Sequence, residues 1–264
     1  MKLDFVKLSP TQNMTLLVTG SVDRAQHSAV AARLMGPEGV GAEQVGFLEP
    51  ASDAEARMRL QMMGGEFCGN AAMSLAAFLA FQDQLPDSAE CVYPLEVSGA
   101  DDLVRCRIRR RGDEYLGSVC MPLPTQIQIV AFPGAFCCPV VFFPGIAHAI
   151  LPEDALTCSQ AEACIADWCA FTDQEAFGII LRGEDAIRPL VYVRETGSAV
   201  WERGCGSGSA AVGAYTAAQR AQNTALDLRQ PGGLIRVNVD YDDSVRRIEI
   251  SGTVKIVAMG QAWV

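Results

Sequence analysis

Two stretches of the chain repeat one pattern of apolar and polar positions. Ala71–Gln82 is rich in Ala, Leu and Met and holds neither Gly nor Pro, which predicts a helix that breaks by Pro86. Pro94–Ser98 and Leu103–Arg109 follow, alternating as strands do when one face is buried. In the second half, Ala210–Gln222 again reads as helix and Pro231-Gly232-Gly233 as a turn. Leu234–Val239 and Val245–Ile250 then alternate as strands. Weak self-similarity at half the chain length predicts an α/β (α+β) protein of two similar domains. The first covers residues 1–121 and the second residues 122–253, with the boundary at Met121-Pro122-Leu123-Pro124 and a fresh apolar strand at Ile127–Phe132. The tail, residues 254–264, reads as a strand that returns to the first domain. Ala161–Phe171 predicts an amphipathic surface helix without chemistry of its own.

In front of each central helix stands the same turn. Phe67-Cys68-Gly69-Asn70-Ala71-Ala72 precedes the first, and Gly204-Cys205-Gly206-Ser207-Gly208-Ser209 the second. A thiol at the first turn of a helix meets free N–H groups and the positive end of the helix dipole, and both favour the thiolate. A single such turn is most often a buried thiol at a helix cap. A matched pair points to two thiols that give and take a proton across one small substrate.

Composition narrows the setting. The 264 residues suffice for one large or two ordinary domains, and a net charge of −10 argues against nucleic acid as a partner. No apolar run has the length of a membrane span, and Met1–Val6 lacks the basic start and apolar core of a signal peptide, so a cytoplasmic protein is the expectation. There are ten cysteines, no Cys-x-x-Cys pair, and only His27 and His148 as histidines, so zinc-type ligand spacing is missing. Cys91, Cys106, Cys120, Cys137, Cys138, Cys158, Cys164 and Cys169 read as reduced residues packed as small hydrophobes.

A thiol pair of this kind suits inversion at the α-carbon of an amino acid. One thiolate removes the proton from one face while one thiol delivers a proton to the other. The charge that develops on the α-carboxylate needs fixed donors, and two helix N-termini supply them. Gly69 and Gly206 permit close backbone approach, and Asn70 and Ser207 add side-chain donors. His148, after an apolar strand, either bonds a thiol or acts on its proton, or is an ordinary core histidine. Glu202, three residues before Cys205, either raises that thiol's pKa, binds a substrate amine, or caps the turn. Asn13, Glu43 and Gln44 stand at the starts of apolar strands, where either binding residues or turn residues are found.

Glu66-Phe67-Cys68-Gly69-Asn70 and Trp201-Glu202-Arg203-Gly204-Cys205-Gly206-Ser207-Gly208 resemble the two cysteine motifs of the diaminopimelate epimerase family of cofactor-independent amino-acid racemases. Gly145-Ile146-Ala147-His148 is similar to the pattern that ends in that family's site histidine, and Glu202 to its glutamate. The similarity runs from Asn13 to the closing strand. It implies two domains of like topology, each a curved sheet or barrel around a central helix, with the active site in the cleft between them. It also implies Cys68, Cys205, His148 and Glu202 as catalytic residues, no cofactor, no metal, a small amino acid as substrate, and the dimer common in that family. The asparagines that precede the first cysteine and the histidine in true diaminopimelate epimerases are missing here. Gln61-Met62-Met63-Gly64-Gly65 and Gly145-Ile146-Ala147 stand in their place. A site without partners for a distal carboxylate rejects it.

Asn13-Met14-Thr15, Glu43-Gln44-Val45-Gly46-Phe47, Gly65–Asn70, Cys205–Gly208 and Gln230-Pro231-Gly232-Gly233 are similar to a divergent branch of that family, the histidine racemases of opine-type metallophore synthesis. By that resemblance Glu43 or Gln44 faces the substrate side chain and Asn13 its backbone. A carboxylate at Glu43 suits imidazole or a short diamine, so histidine is the first expectation and diaminobutyrate the second. The rival enzymes are proline or hydroxyproline racemases and phenazine-type isomerases. The non-enzymatic rival is a redox sensor or ligand-binding module in which Cys68 and Cys205 form a disulfide.

Overall fold

The computed structural model describes residues 1–36, 38–133 and 136–264. The chain divides into two compact units, Met1–Cys120 with Ser251–Val264, and Met121–Ile250.

The first unit contains β1 (Lys2–Pro10), β2 (Thr15–Val18), α1 (His27–Met35), β3 (Gln44–Glu49), β4 (Met58–Met62), α2 (Gly69–Gln82), β5 (Glu90–Val97), β6 (Val104–Arg111) and β7 (Glu114–Cys120). Its strands lie side by side in chain order from β1 to β7. On β6, Val104, Cys106 and Ile108 are buried while Arg105, Arg107 and Arg109 point to solvent, the alternation of a sheet with one covered face. What covers it is α2, which packs on β1, β2, β5, β6 and β7. Residues Gly69 to Ala80 of this helix are all buried. A helix that is apolar all round belongs inside a protein rather than on its surface, and here the sheet curls about it. α1 lies elsewhere, against β3, and its Val30, Ala31 and Leu34 join Leu16, Val18, Val45 and Phe47 in a separate cluster.

The second unit contains β8 (Gln126–Phe132), β9 (Phe136–Phe143), β10 (Ile146–Pro152), α3 (Cys158–Phe171), β11 (Ala176–Arg182), β12 (Ile187–Val193), β13 (Ser198–Trp201), α4 (Gly206–Arg220), β14 (Thr224–Gln230), β15 (Gly233–Asp242) and the start of β16 (Ser244–Trp263). β8 to β13 form a six-stranded sheet in chain order, with β10 and β11 parallel and the other neighbours antiparallel. One face of it carries α3, through Trp168, Ile165 and Cys169 packed with Phe132, Phe177, Ala147 and Ala149. α4 packs against β9, β10, β14 and β15, and ten of its fifteen residues are buried, most of them Ala or Gly.

Several boundaries differ from those the sequence predicts. α4 begins at Gly206, not Ala210, because Cys205 caps it, and it stops at Arg220 because Ala221 turns left-handed (φ 50°). α3 begins at Cys158, not Ala161, where Thr157 and Gln160 form a reciprocal capping box. β16 is one strand of twenty residues, where the sequence predicts two, Val245–Ile250 and a tail strand over residues 254–264. Its last part, Val254–Trp263, pairs antiparallel with β1. Cys120, Cys137 and Cys158 are exposed, so these three are not packed as small hydrophobes, unlike the buried Cys106, Cys138 and Cys169. No helix is long and apolar enough to cross a membrane among the described residues.

Candidate active site

In the first unit Cys68 is the N-cap of α2. Its backbone is extended (φ −133°, ψ 108°), and its sulfur accepts the N–H of Ala71 at 3.4 Å, while its carbonyl accepts the N–H of Ala72 at 3.0 Å. Cysteine is not among the favoured N-cap residues, yet here its sulfur takes the place that a Ser, Thr or Asp oxygen more often fills. The loop before it is held by Ser98 at the end of β5. The Ser98 hydroxyl donates to the Glu66 carbonyl at 2.8 Å and accepts the N–H of Met62 at 2.9 Å. Gly99 follows in a left-handed conformation (φ 71°), and a Cβ there would lie 2.4 Å from the backbone nitrogen of Phe67.

One of the predicted binding residues touches this sulfur, and two more continue from it in a hydrogen-bonded row. Cys68 Sγ lies 2.7 Å from Gln44 Oε1, the first residue of β3. The Gln44 amide nitrogen donates to Asn13 Oδ1, and the Asn13 amide nitrogen donates to Glu43 Oε2 at 3.0 Å. Asn13 is buried and is delivered by a turn in which Thr11 (φ 48°) and Gln12 (φ 59°) are both left-handed. A β-branched residue there is strained, and bonds at both ends hold the turn: Thr11 N–H to the Thr253 carbonyl and Asn13 N–H to the Pro10 carbonyl, each 2.9 Å. Asn70, in the first turn of α2, is buried.

In the second unit Cys205 caps α4 in the same way (φ −102°, ψ 109°), its sulfur accepting the N–H of Gly208 at 3.2 Å. The Ser207 hydroxyl lies 3.5 Å from the same sulfur. Cys205 is buried, at 2% exposure. Burial first, and then the neighbouring Glu202 carboxylate, which also hydrogen-bonds the thiol, push the Cys205 pKa well above that of a free cysteine. Gln230, the last residue of β14, accepts the backbone N–H of Cys205 at 2.7 Å and donates to the Ser209 hydroxyl at 2.8 Å; that hydroxyl donates to the Cys205 carbonyl at 2.6 Å. Arg203, left open by the sequence, reaches the Pro231 carbonyl at 3.2 Å, and its own carbonyl accepts the N–H of Gly232 at 2.7 Å. Of the four N–H groups that an α-helix leaves over at its start, Cys205's goes to Gln230 and Gly208's to sulfur. Those of Gly206 and Ser207 take part in neither of these bonds.

Of the readings open for His148, a bond to a thiol is not the one found. It lies on β10, fully buried, and among the described residues neither ring nitrogen has a hydrogen-bond partner, a thiol included. Its ring occupies the space above Gly178 on β11, where a Cβ would come within 2.1 Å of Nδ1. Burial without a partner lowers its pKa to about 3, which keeps the imidazole neutral at ordinary pH.

Two residues of the site escaped the sequence reading: Gln230 as the anchor of Cys205 and Ser98 as the anchor of the loop before Cys68. Gln230 stood in a fragment that resembled a known branch, beside a Pro-Gly-Gly turn, but nothing local said where its amide would reach. Gly178 carried no signal at all, since its role exists only beside His148.

The histidine racemase CntK N-terminal domain family model matches residues 2–263. A histidine racemase from Fusobacterium nucleatum subsp. nucleatum is 30% identical over 270 residues, covering 99% of this chain and 97% of the relative. A histidine racemase from Staphylococcus aureus is 30% identical over 280 residues, covering 99% and 98%. Among solved structures, a Bacillus anthracis phenazine biosynthesis protein of the PhzF family matches with a TM-score of 0.71 at 14% identity, over 100% of both chains. A hydroxyproline epimerase from Agrobacterium vitis matches with a TM-score of 0.69 at 14% identity, over 98% of this chain and 92% of that one. At such identity these two likenesses speak for the fold.

Proposed function

We propose that this chain, which belongs to the histidine racemase family and is an amino-acid racemase, acts on histidine and inverts it with Cys68 and Cys205 as the two proton carriers, without a cofactor. The observation that carries the reading is the equivalence of the two sulfurs. Each caps the buried central helix of its own unit and accepts the N–H three residues on. That bond and the helix dipole favour the anionic sulfur, so either cysteine can serve as base once its proton has left.

In the proposed reaction the thiolate of one cysteine takes the α-proton and becomes a thiol. The electron pair left on the α-carbon spreads into the α-carboxylate. The thiol of the other cysteine then delivers its proton to the opposite face and becomes a thiolate, so the mirror-image amino acid leaves and the two sulfurs have exchanged roles. The carboxylate is held by the N–H groups at the starts of the helices, those of Gly69 and Asn70 and those of Gly206 and Ser207, where donors fixed in advance oppose the developing charge. Burial and the hydrogen-bonded Glu202 carboxylate keep the proton on Cys205 until substrate arrives; Glu202 then accepts that proton, and the Cys205 thiolate so formed takes the α-proton. The relatives named histidine racemase support histidine as the substrate. So does Glu43, a carboxylate within one hydrogen-bonded row of Cys68 and suited to an imidazole or an ammonium group.

The test is incubation of L-histidine in deuterated water with the purified protein, treated to remove pyridoxal phosphate. The expected outcome is an even mixture of the two enantiomers with deuterium at the α-carbon, and loss of at least about a thousandfold in rate in both Cys68→Ala and Cys205→Ala, as when a proton carrier is removed. Inversion that survives either substitution, or that requires added pyridoxal phosphate, overturns the thiol-pair reading. Parallel incubations with diaminobutyrate and diaminopimelate test the substrate, and faster inversion of either displaces histidine.

A further inference from the structure

The hydrogen bonds around Cys68 have a direction, and a carboxylate sets it. At neutral pH a carboxylate only accepts. Asn13 therefore turns its amide nitrogen to Glu43, at 3.0 Å. That leaves Asn13 Oδ1 for its other neighbour, and Gln44 donates its amide nitrogen to it. The atom of Gln44 that remains is Oε1, and it lies 2.7 Å from Cys68 Sγ. Either amide could be turned over in isolation, because nitrogen and oxygen are similar in shape. In this row neither can, since turning one places two acceptors or two donors face to face. An amide oxygen attracts S–H and repels S⁻. The sulfur is meanwhile free to accept the N–H of Ala71 at 3.4 Å, as a thiol that donates one bond and accepts another.

We propose that the row Glu43–Asn13–Gln44 is a lock that keeps Cys68 protonated in the substrate-free protein, with Asn13 and Gln44 as positioning residues that carry the effect of the carboxylate to the sulfur. The role rests on the reading of Cys68 as a proton carrier and adds to it: Cys68 waits as the loaded donor. Two carboxylates stand near it: Glu43, which also accepts the N–H of Met14 at 3.5 Å, and Glu66, two residues before Cys68, which accepts the Gly64 N–H at 3.0 Å. Glu66 is unchanged in every variant below.

The measurement is the rate at which iodoacetamide alkylates Cys68, followed on the Cys68 peptide by mass spectrometry across a range of pH, so that the other cysteines do not enter. A change in protonation moves the midpoint of that profile; a change in access moves only its plateau at high pH. Gln44→Met removes the oxygen at nearly constant size, and Glu43→Gln removes the fixed acceptor. Each is expected to raise the rate at pH 7 about tenfold while leaving the plateau unchanged, the size of an ordinary one-unit effect of a hydrogen-bond partner. Gln44→Glu keeps an oxygen on the sulfur and is expected to stay at or below the wild-type rate. The double variant Glu43→Gln with Gln44→Met is expected to match Gln44→Met alone, because the carboxylate acts through the row. A Gln44→Met rate equal to wild type overturns the lock, as does full additivity in the double variant, which would mean that Glu43 acts on the sulfur through space. Should Gln44→Met fail to fold, Glu43→Gln alone against Gln44→Glu decides between the same outcomes. Alkylation needs no turnover, so the thiol-pair reading can fail in its own test while the lock stands, and the reverse.

Discussion

Cys68 and Cys205 cap their helices with the same bond, sulfur to the N–H three residues on, yet the groups brought to the two sulfurs differ in kind. Cys68 is part-exposed and meets a neutral amide oxygen at the end of a row that starts on another strand. Cys205 is buried and meets a carboxylate from its own loop, three residues earlier. Its backbone N–H is tied to Gln230, whereas the turn before Cys68 is tied two residues upstream, through Ser98 and the Glu66 carbonyl. A helix start supplies the same positive field to both thiols. What separates them is the neighbours: Cys68 meets an amide from a distant strand, and Cys205 is buried beside a carboxylate of its own loop.

The largest effect expected from this difference lies under the second turn's unit, at His148, which the first unit does not match. Its folded pKa of about 3 lies below the ordinary 6.5, so between these values the unfolded chain binds a proton that the folded one refuses. Its contribution is therefore present above pH 6.5 and is lost as pH falls toward 3. Against His148→Met, the wild type is expected to lose roughly 3 kcal/mol more stability between pH 7 and pH 4, read from urea unfolding. Equal losses in the two proteins would show that the imidazole takes up a proton in place.

A smaller effect compares the two anchors. Gln230→Ala strands a buried N–H of Cys205 and is expected to cost about 2 kcal/mol, with slowed inversion, while Ser98→Ala is expected to cost about 1 kcal/mol. Thermal unfolding and a chiral assay of both variants check the order, and a reversed order would place the tighter anchor at Cys68. The smallest concerns Glu202→Gln, which removes the anion beside Cys205. Its thiol pKa is expected to fall and its alkylation at pH 7 to quicken, with Cys68 unchanged. A response at Cys68 as well would break the separation between the two turns.

The sequence by itself determined the repeated order of cysteine turn, buried helix and strands. Those features are local: a helix made of Ala, Leu and Met is apolar on every side, and alternation along Leu103–Arg109 assigns one face to the interior. It also singled out Asn13, Glu43, Gln44, Glu202 and Ser207 as residues worth watching, by their places beside apolar strands and cysteines. Only the tertiary structure decided how they connect. The row from Glu43 to Cys68 joins residues from three separate parts of the chain. Gln230 reaches back twenty-five positions to an amide that no local pattern marks (230 minus 205). His148 illustrates the limit most clearly: its type and place allowed a bond to a thiol, a part in proton transfer or an ordinary core position, and among the described residues it lies buried above Gly178 without a hydrogen-bond partner. Helix and strand arise from the periodicity of neighbours along the chain, but a hydrogen bond's direction and a group's desolvation depend on atoms that only folding brings near.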